Sequence, residues 1–296
     1  MITRAIARAK INLFLQVVGK RDDGYHDLCS LMTALDLWDC LDFDFQAQGL
    51  SVFCDHPGVP GDETNLAFQA ARVFMDRFLA GTGRKKESSG LAITIHKTIP
   101  IGAGLGGGSS NAATVLKVLN QRHGHPFSTE ELMEMGLGIG ADVPFFLHGG
   151  PALATGVGET LEKYPPLLPY YVVLFFPGVS VSTGAVYKNI DFPLTKHEKS
   201  NINNPLKIRR SGPGVDVRAC LQNDLESAAL KYCPEIGFIR EEMAGFNPDG
   251  MLMSGSGSSY FALFSRYEKA EQAFMALSRK WEKSDKKIFL TCFAAS

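Results

Sequence analysis

Five of the seven residues from Gly102 to Gly108 are glycine, and two hydroxyl residues, Ser109 and Ser110, follow at once. Glycine gives up more conformational freedom on folding than any other residue, so this density marks a backbone that bends tightly or lies against a ligand. With no β-carbons in the way, successive amide N–H groups can turn into one concavity, and a helix opening near Ser109 adds the positive end of its dipole. An anion such as a polyphosphate fits that arrangement. A flexible linker would account for the glycines, but not for a strand before them and a helix after them.

Two further residues have the chemistry to act on a bound phosphate. Asp142 lies between Gly140-Ala141 and Val143-Pro144, where an aspartate caps a short helix whose early proline is tolerated. It reads equally as a plain cap and as the group that receives a proton from an attacking hydroxyl. Lys10 interrupts an apolar strand and is either a snorkelling edge lysine or an ammonium placed to offset charge on a moving phosphoryl group. His123 and His125, beside Gly124 and Pro126, suit a polar turn and lack a third metal ligand nearby.

Two familiar nucleotide signatures fail. Gly102-x-Gly104-x-x-Gly107 fits the dinucleotide pattern, but about 20 residues on, where a second strand should end in an acid, Phe127 to Leu132 reads as a helix start. The Walker loop lacks its lysine before Ser109. Phosphate binding survives without either fold.

The elements that must hold these residues are legible in the hydrophobic periods. Ile11, Leu13, Leu15 and Val17 alternate with their neighbours, which predicts a strand with Lys10 and Asn12 on one face and a turn at Arg21 to Gly24. Further strands are expected at Leu31 to Leu37, Leu41 to Phe45, Leu91 to Ile95, Tyr170 to Phe176, Met251 to Met253, Tyr260 to Phe264 and Phe289 to Phe293. Helical spacing covers Thr64 to Leu79, Ser109 to Asn120, Asp224 to Lys231, Ile236 to Ala244 and Tyr267 to Trp281. Ser128-Thr129-Glu130-Glu131 is a capping box that starts one more, running to about Gly136. Pro100 to Gly108 reads as irregular, and 81–90 and 196–214 as loops without a role. No period of 20 to 50 residues repeats, which excludes a solenoid.

The 296 residues suffice for one large or two ordinary domains, and a formal charge of -1 gives no field to attract nucleic acid or an acidic membrane. The longest apolar stretch, Leu167 to Phe176, is ten residues, short of the ~20 that cross a bilayer. Asn12 and Gln16 interrupt the apolar run near the start, so it reads as mature fold and not as a signal peptide. Six scattered cysteines point to reduced thiols and a cytoplasmic protein.

The run Pro100-Ile101-Gly102-Ala103-Gly104-Leu105-Gly106-Gly107-Gly108-Ser109-Ser110-Asn111-Ala112-Ala113 resembles the phosphate loop of the GHMP kinase superfamily. Three more segments resemble the members whose acceptor alcohol carries a cytidine diphosphate. They are Ala9-Lys10-Ile11-Asn12-Leu13 with Asp23-Gly24-Tyr25-His26, Gly140-Ala141-Asp142-Val143-Pro144-Phe145-Phe146, and Ser254-Gly255-Ser256-Gly257-Ser258. The motifs stand in the family's order and span residues 9 to 258.

The resemblance implies an α+β, two-domain GHMP kinase fold with the active site in the inter-domain cleft, an ATP-binding domain at 1–160 and a substrate-side domain at 161–296. It implies ATP as co-substrate, Mg²⁺ carried with the nucleotide, and phosphorylation of the 2-hydroxyl of a cytidyl-linked alcohol in isoprenoid precursor synthesis. Lys10 and Asp142 match the family's catalytic pair, Asp142 as general base and Lys10 as electrostatic partner. Asn65, Lys97 and the loop Pro100, Ile101, Gly102, Ala103, Gly104, Leu105, Gly106, Gly107, Gly108, Ser109 and Ser110 match nucleotide positions. Tyr25 and Tyr187 match a cytosine sandwich with His26 on the base edge; Asn12 joins them as a substrate contact, and Tyr187 reads also as a core tyrosine. The serine-glycine run at 254–258 would support the phosphate loop. No dedicated metal cage, nucleic acid or membrane is expected, and the protein would be a monomer or weak homodimer. The other readings are a kinase for homoserine, mevalonate or a sugar, and a nucleotide-binding regulator without catalysis.

Overall fold

The two longest strands, β1 (Ile2–Lys20) and β2 (His26–Asp44), are hydrogen-bonded neighbours; β1 is buried on both faces from Ala9 to Val17, and β2 alternates only in its second half. The computed structural model describes residues 2–82, 90–190, 210–211 and 214–295. Two separate strands were expected within β2. They are one, because the inward positions continue as Leu35, Leu37, Asp39, Leu41 and Phe43, all buried, with Asp39 standing where an apolar residue would. After β2 come β3 (Leu50–Cys54), α1 (Leu66–Thr82), β4 (Leu91–His96), α2 (Gly107–Arg122), α3 (Thr129–Leu137) and α4 (Val143–His148). The chain continues through β5 (Ala152–Gly156), β6 (Thr160–Lys163), β7 (Tyr171–Phe176), α5 (Thr183–Lys188), β8 (Arg210–Ser211), β9 (Gly214–Val215) and β10 (Gln222–Asn223). It ends with α6 (Leu225–Tyr232), α7 (Gly237–Ala244), β11 (Gly250–Met253), β12 (Tyr260–Phe264), α8 (Tyr267–Trp281) and β13 (Lys287–Cys292).

Two compact units result, neither continuous in sequence. The first takes the chain up to Ala9, then Leu37–Ile101 and Gly106–Gly149. In it the second half of β2 pairs antiparallel with β4, Cys40 opposite His96, and β3 adds in parallel to β4. Helices α1 and α2 pack together, and each buries an apolar face: Ala67, Ala70, Ala71 and Phe74 on one, Ala112, Ala113, Val115 and Leu116 on the other. Ser128 caps α3 in the expected capping box, its hydroxyl accepting from Glu131 N. A β-carbon at Gly136 would lie 2.8 Å from Val143 Cγ1, so glycine there lets α3 and α4 approach closely.

The second unit takes Lys10–Asp36, Gly102–Leu105 and the chain from Gly150 on. Here the first half of β2 pairs antiparallel with β5, β5 with β6, and β10 runs parallel to β1 with Phe14 opposite Gln222. A four-stranded antiparallel sheet, β11-β12-β7-β13, packs α6, α7 and α8 over Val173, Phe175, Tyr260, Ala262 and Phe264. Five of the six β7 residues are buried, which is why that strand reads as an unbroken apolar run. Most of 81–90 and 196–214 lies outside the described residues.

The glycine loop is shorter than its sequence suggests: Gly107 and Gly108 already form the first turn of α2, after Gly106 in the left-handed region at φ 69°. Strands β3, β5 and β6 and helix α5 went unread because each is four to six residues long; β5 is built from small residues and β6 is a largely exposed polar edge. Among the described residues no helix is long and apolar enough to cross a membrane. All six cysteines are free, and burial pushes the Cys29 and Cys220 thiols up to about 11, which makes them unreactive.

Candidate active site

In the second unit the site is built around a buried lysine. Lys10 and Asn12 project from the same face of β1, as period two requires, and each is almost wholly buried. Lys10 Nζ donates to Asn12 Oδ1 at 2.7 Å, Asn12 Nδ2 to Ser30 Oγ at 2.8 Å, and Ser30 Oγ to the Phe14 carbonyl at 2.8 Å. The chain has one direction. Because the Ser30 proton goes to Phe14, its oxygen can only accept, which turns the Asn12 amide so that its carbonyl faces the ammonium. Ser30 on β2, which the sequence reading missed, fixes the Asn12 amide that Lys10 donates to. Ser30→Ala is expected to lower kcat about tenfold by loosening Lys10, with Ser30→Thr restoring most of it and ATP affinity unchanged, as steady-state kinetics would show.

The serine-glycine run lies against this lysine. A β-carbon at Gly255 would stand 3.6 Å from Lys10 Nζ and 3.1 Å from Asn12 Oδ1. The run is held on several sides. Asn223 Nδ2 donates to the Met253 and Gly255 carbonyls at 2.8 and 2.7 Å, Ser254 Oγ donates to the Gly104 carbonyl at 3.0 Å, and Ser258 Oγ donates to the Val179 carbonyl. Lys10 N donates to the Leu105 carbonyl at 3.0 Å, and Ser259 N to that of Ala103 at 3.3 Å. Residues 102–105 are thus held against β1 and the serine-glycine turn. Asn223, a second residue missed, gave no signal beyond preceding a helix.

Beyond Leu105 the loop enters the first unit and runs into α2. Gly102, Gly104 and Gly106 all have positive φ, of 62°, 76° and 69°, a conformation that glycine adopts without strain. No side chain caps α2 and no acid lies in its first turn, which leaves its leading amides, from Gly107 to Ser109, without a partner inside the helix. Lys97 stands beside them: a β-carbon at Gly107 would be 3.0 Å from Lys97 Nζ. Orphan amides at a helix N-terminus are suited to an anion, and the Lys97 ammonium beside them is ion-paired with the buried Asp39 carboxylate.

Asp142 belongs to the same unit. It occupies the N-cap position of α4, with a proline in the first turn as expected, but its carboxylate makes no capping hydrogen bond. The segment before it lies near the start of α2, since a β-carbon at Gly140 would be 3.7 Å from Ser109 Oγ. Asn65, at the start of α1, uses both ends of its amide: Oδ1 accepts from Ala67 N at 2.9 Å and Nδ2 donates to the Pro60 carbonyl at 2.7 Å.

Back in the second unit, Tyr25 is 66% exposed at the turn after β1, which Asp23 fixes by accepting from Tyr25 N at 3.1 Å. Tyr187 on α5 is half-buried and stacks on His26 with ring centroids 5.2 Å apart and planes at 25°. Burial and the nearby Lys20 charge hold the His26 ring below its ordinary value, so at neutral pH it is uncharged and offers one donor and one acceptor. An aromatic pair with a neutral edge suits a planar base.

Residues 65–150 match the GHMP kinases N terminal domain and residues 209–283 the GHMP kinases C terminal family. A protein of Syntrophotalea carbinolica named 4-diphosphocytidyl-2-C-methyl-D-erythritol kinase is 42% identical over 276 residues, 93% of this chain and 94% of its own length. One of the same name from Bacillus pumilus is 40% identical over 272 residues, 92% of this chain and 91% of its own. The crystal structure of a 4-(cytidine 5'-diphospho)-2C-methyl-D-erythritol kinase matches with a TM-score of 0.74 at 34% identity, over 99% of this chain and 100% of that one. A homoserine kinase from Cytophaga hutchinsonii matches with a TM-score of 0.71 over 99% of this chain and 95% of its own, at 18% identity, which speaks to the fold alone. With its α+β fold, the chain belongs to the GHMP kinase family, in the group of the 4-diphosphocytidyl-2-C-methyl-D-erythritol kinases, and is a kinase with an alcohol acceptor.

Proposed function

We propose that the chain transfers the γ-phosphoryl group of ATP to the 2-hydroxyl of 4-diphosphocytidyl-2-C-methyl-D-erythritol, a step of non-mevalonate isoprenoid precursor synthesis. The observation that carries phosphoryl transfer is the uncapped start of α2, with its run of left-handed glycines before it and the Lys97 ammonium beside Gly107. The choice of acceptor rests on the relatives, about 40% identical over nearly the whole chain and named for that substrate. Pro100 to Ser110 wrap the phosphates, and Asn65 and Lys97 lie toward the nucleotide. Tyr25, His26 and Tyr187 take the cytosine, and Asn12 contacts the acceptor alcohol as it holds Lys10.

In this reading Asp142 receives the proton of the 2-hydroxyl as that oxygen attacks the γ-phosphorus, while Lys10 offsets the charge on the transferring group. Asp142 stands at the N-terminus of α4, where the helix dipole favours its ionised form. Charge neutralisation and alignment supply most of the acceleration in phosphoryl transfer, so a modest base suffices. Among the described residues no three His, Cys, Asp or Glu side chains gather into a metal cage. A Mg²⁺ ion brought with ATP would take phosphate oxygens and water as ligands, neutralising charge on the nucleotide. The family matches at 65–150 and 209–283 fall on either side of the division at residue 160 that we propose between the two family domains. The thiols suit a cytoplasmic protein, which we place there as a monomer or weak homodimer.

Incubating the protein with ATP, Mg²⁺ and, separately, the cytidyl alcohol, homoserine, mevalonate and galactose tests the reading by mass spectrometry, with phosphorus NMR to locate the new ester. Phosphorylation of the cytidyl alcohol alone, at its 2-hydroxyl, is expected. A product from another acceptor, with the cytidyl alcohol untouched, would refute the assignment; nucleotide binding with no product from any would leave a regulator.

A further inference from the structure

Among the described residues, the proposed chemistry leaves one fully buried carboxylate without a use. Asp39 has no exposed surface, yet four donors converge on it, three from the segment 97–99 and one from α2. Oδ1 accepts from the backbone N of Thr98 and Ile99 at 2.8 and 2.9 Å, and Oδ2 accepts from Asn111 Nδ2 at 3.0 Å and from Lys97 Nζ. Its partners lie immediately before the glycine loop and in the second turn of α2. The carboxylate therefore joins β2 to the entry of the loop and to the helix at its exit.

Stability alone is a poor reason for this arrangement. A buried ion pair recovers little more than the desolvation of its two charges, and apolar residues of similar volume commonly hold a core as well. What the pair does supply is a fixed position. The Lys97 side chain is 5% exposed, and its nitrogen would lie 3.0 Å from a β-carbon at Gly107, the first residue of α2. An ammonium has three N–H donors, and Asp39 is its one hydrogen-bond partner among the described residues.

Resting on the ATP-binding reading above, we propose that Asp39 is a positioning residue for the nucleotide: it anchors Lys97 and the 98–99 backbone so that the ammonium and the leading amides of α2 meet the same phosphate. The neutral residue nearest in shape is asparagine. In Asp39→Asn the side-chain carbonyl still accepts from Thr98 and Ile99, but an amide NH₂ now faces the Lys97 and Asn111 donors, so the anchor on Lys97 is lost.

The test is a double-mutant cycle on the full-length protein, with affinity for a fluorescent, non-hydrolysable ATP analogue and for the cytidyl alcohol measured separately by equilibrium titration. Asp39→Asn and Lys97→Gln should each weaken nucleotide binding on the order of tenfold or more while leaving acceptor binding within about twofold. The double variant should be no weaker than Lys97→Gln alone, because Asp39 acts through Lys97. Additive losses, equal loss of both ligands, or unchanged nucleotide binding in either single variant would overturn the proposal. Should Asp39→Asn not fold, the double variant, which buries no lone charge, is compared with Lys97→Gln: equal affinity supports the proposal and further loss refutes it. A wild-type protein that bound no nucleotide would instead refute the ATP-binding reading.

Discussion

Asp142→Asn is expected to slow single-turnover phosphorylation of the cytidyl acceptor by about 10²- to 10⁴-fold, the usual contribution of a positioned general base. The substitution is nearly isosteric, and asparagine caps a helix as well as aspartate does, so loss of a cap cannot produce the effect. The carboxylate makes no capping hydrogen bond to begin with. Because the side chains match in size and in capping ability, stability should stay within about 1 kcal/mol of the parent, and nucleotide affinity should be unchanged. Rapid-quench kinetics with urea melts on the same samples check both. A rate within threefold of the parent would return Asp142 to the plain cap that its sequence context also allows.

The second large effect concerns the loop. At Gly104, φ is +76° and an added β-carbon would lie 2.1 Å from the Ser254 carbonyl oxygen, in the turn against which the loop is held. Gly104→Ala combines left-handed strain of about 1–2 kcal/mol with overpacking of about 1–3 kcal/mol, so a loss of roughly 2–5 kcal/mol is expected in urea denaturation. Gly49 supplies the control. Its φ is +69°, but nothing lies within 4 Å of an added β-carbon, so Gly49→Ala should show the backbone strain alone. Equal losses at the two positions would mean that the contact between the loop and the serine-glycine turn contributes nothing.

How much of this was legible in the sequence depended on how local each signal is. Helix α8 is found from Tyr267 to Trp281 as its period predicts, and the capping box at Ser128 starts α3, since both depend on residues within a few positions of one another. The glycine loop, Lys10 and Asp142 stood out because their residue types are costly or unusual where they occur. Asp39 had a local signal that went unread: a charged residue at an inward position between Leu37 and Leu41 on an alternating strand. Splitting β2 in two hid it. Ser30 and Asn223 gave no such sign, for their roles appear only when partners 16 to 32 positions away are brought to them. The interleaving of the two units is invisible for a similar reason, because β1 and β2 each serve both and no composition change marks where they pass between them.

A crystal structure of the protein with a non-hydrolysable ATP analogue and the cytidyl alcohol would test the central claim most directly. The account predicts the β- and γ-phosphates on the amides of Gly107 to Ser109, and the acceptor 2-hydroxyl in line with the γ-phosphorus and within hydrogen-bonding distance of the Asp142 carboxylate, with Lys10 Nζ at the same oxygen or at the transferring group. A triphosphate bound away from the glycine loop, or an acceptor hydroxyl reached by neither Asp142 nor Lys10, would contradict it.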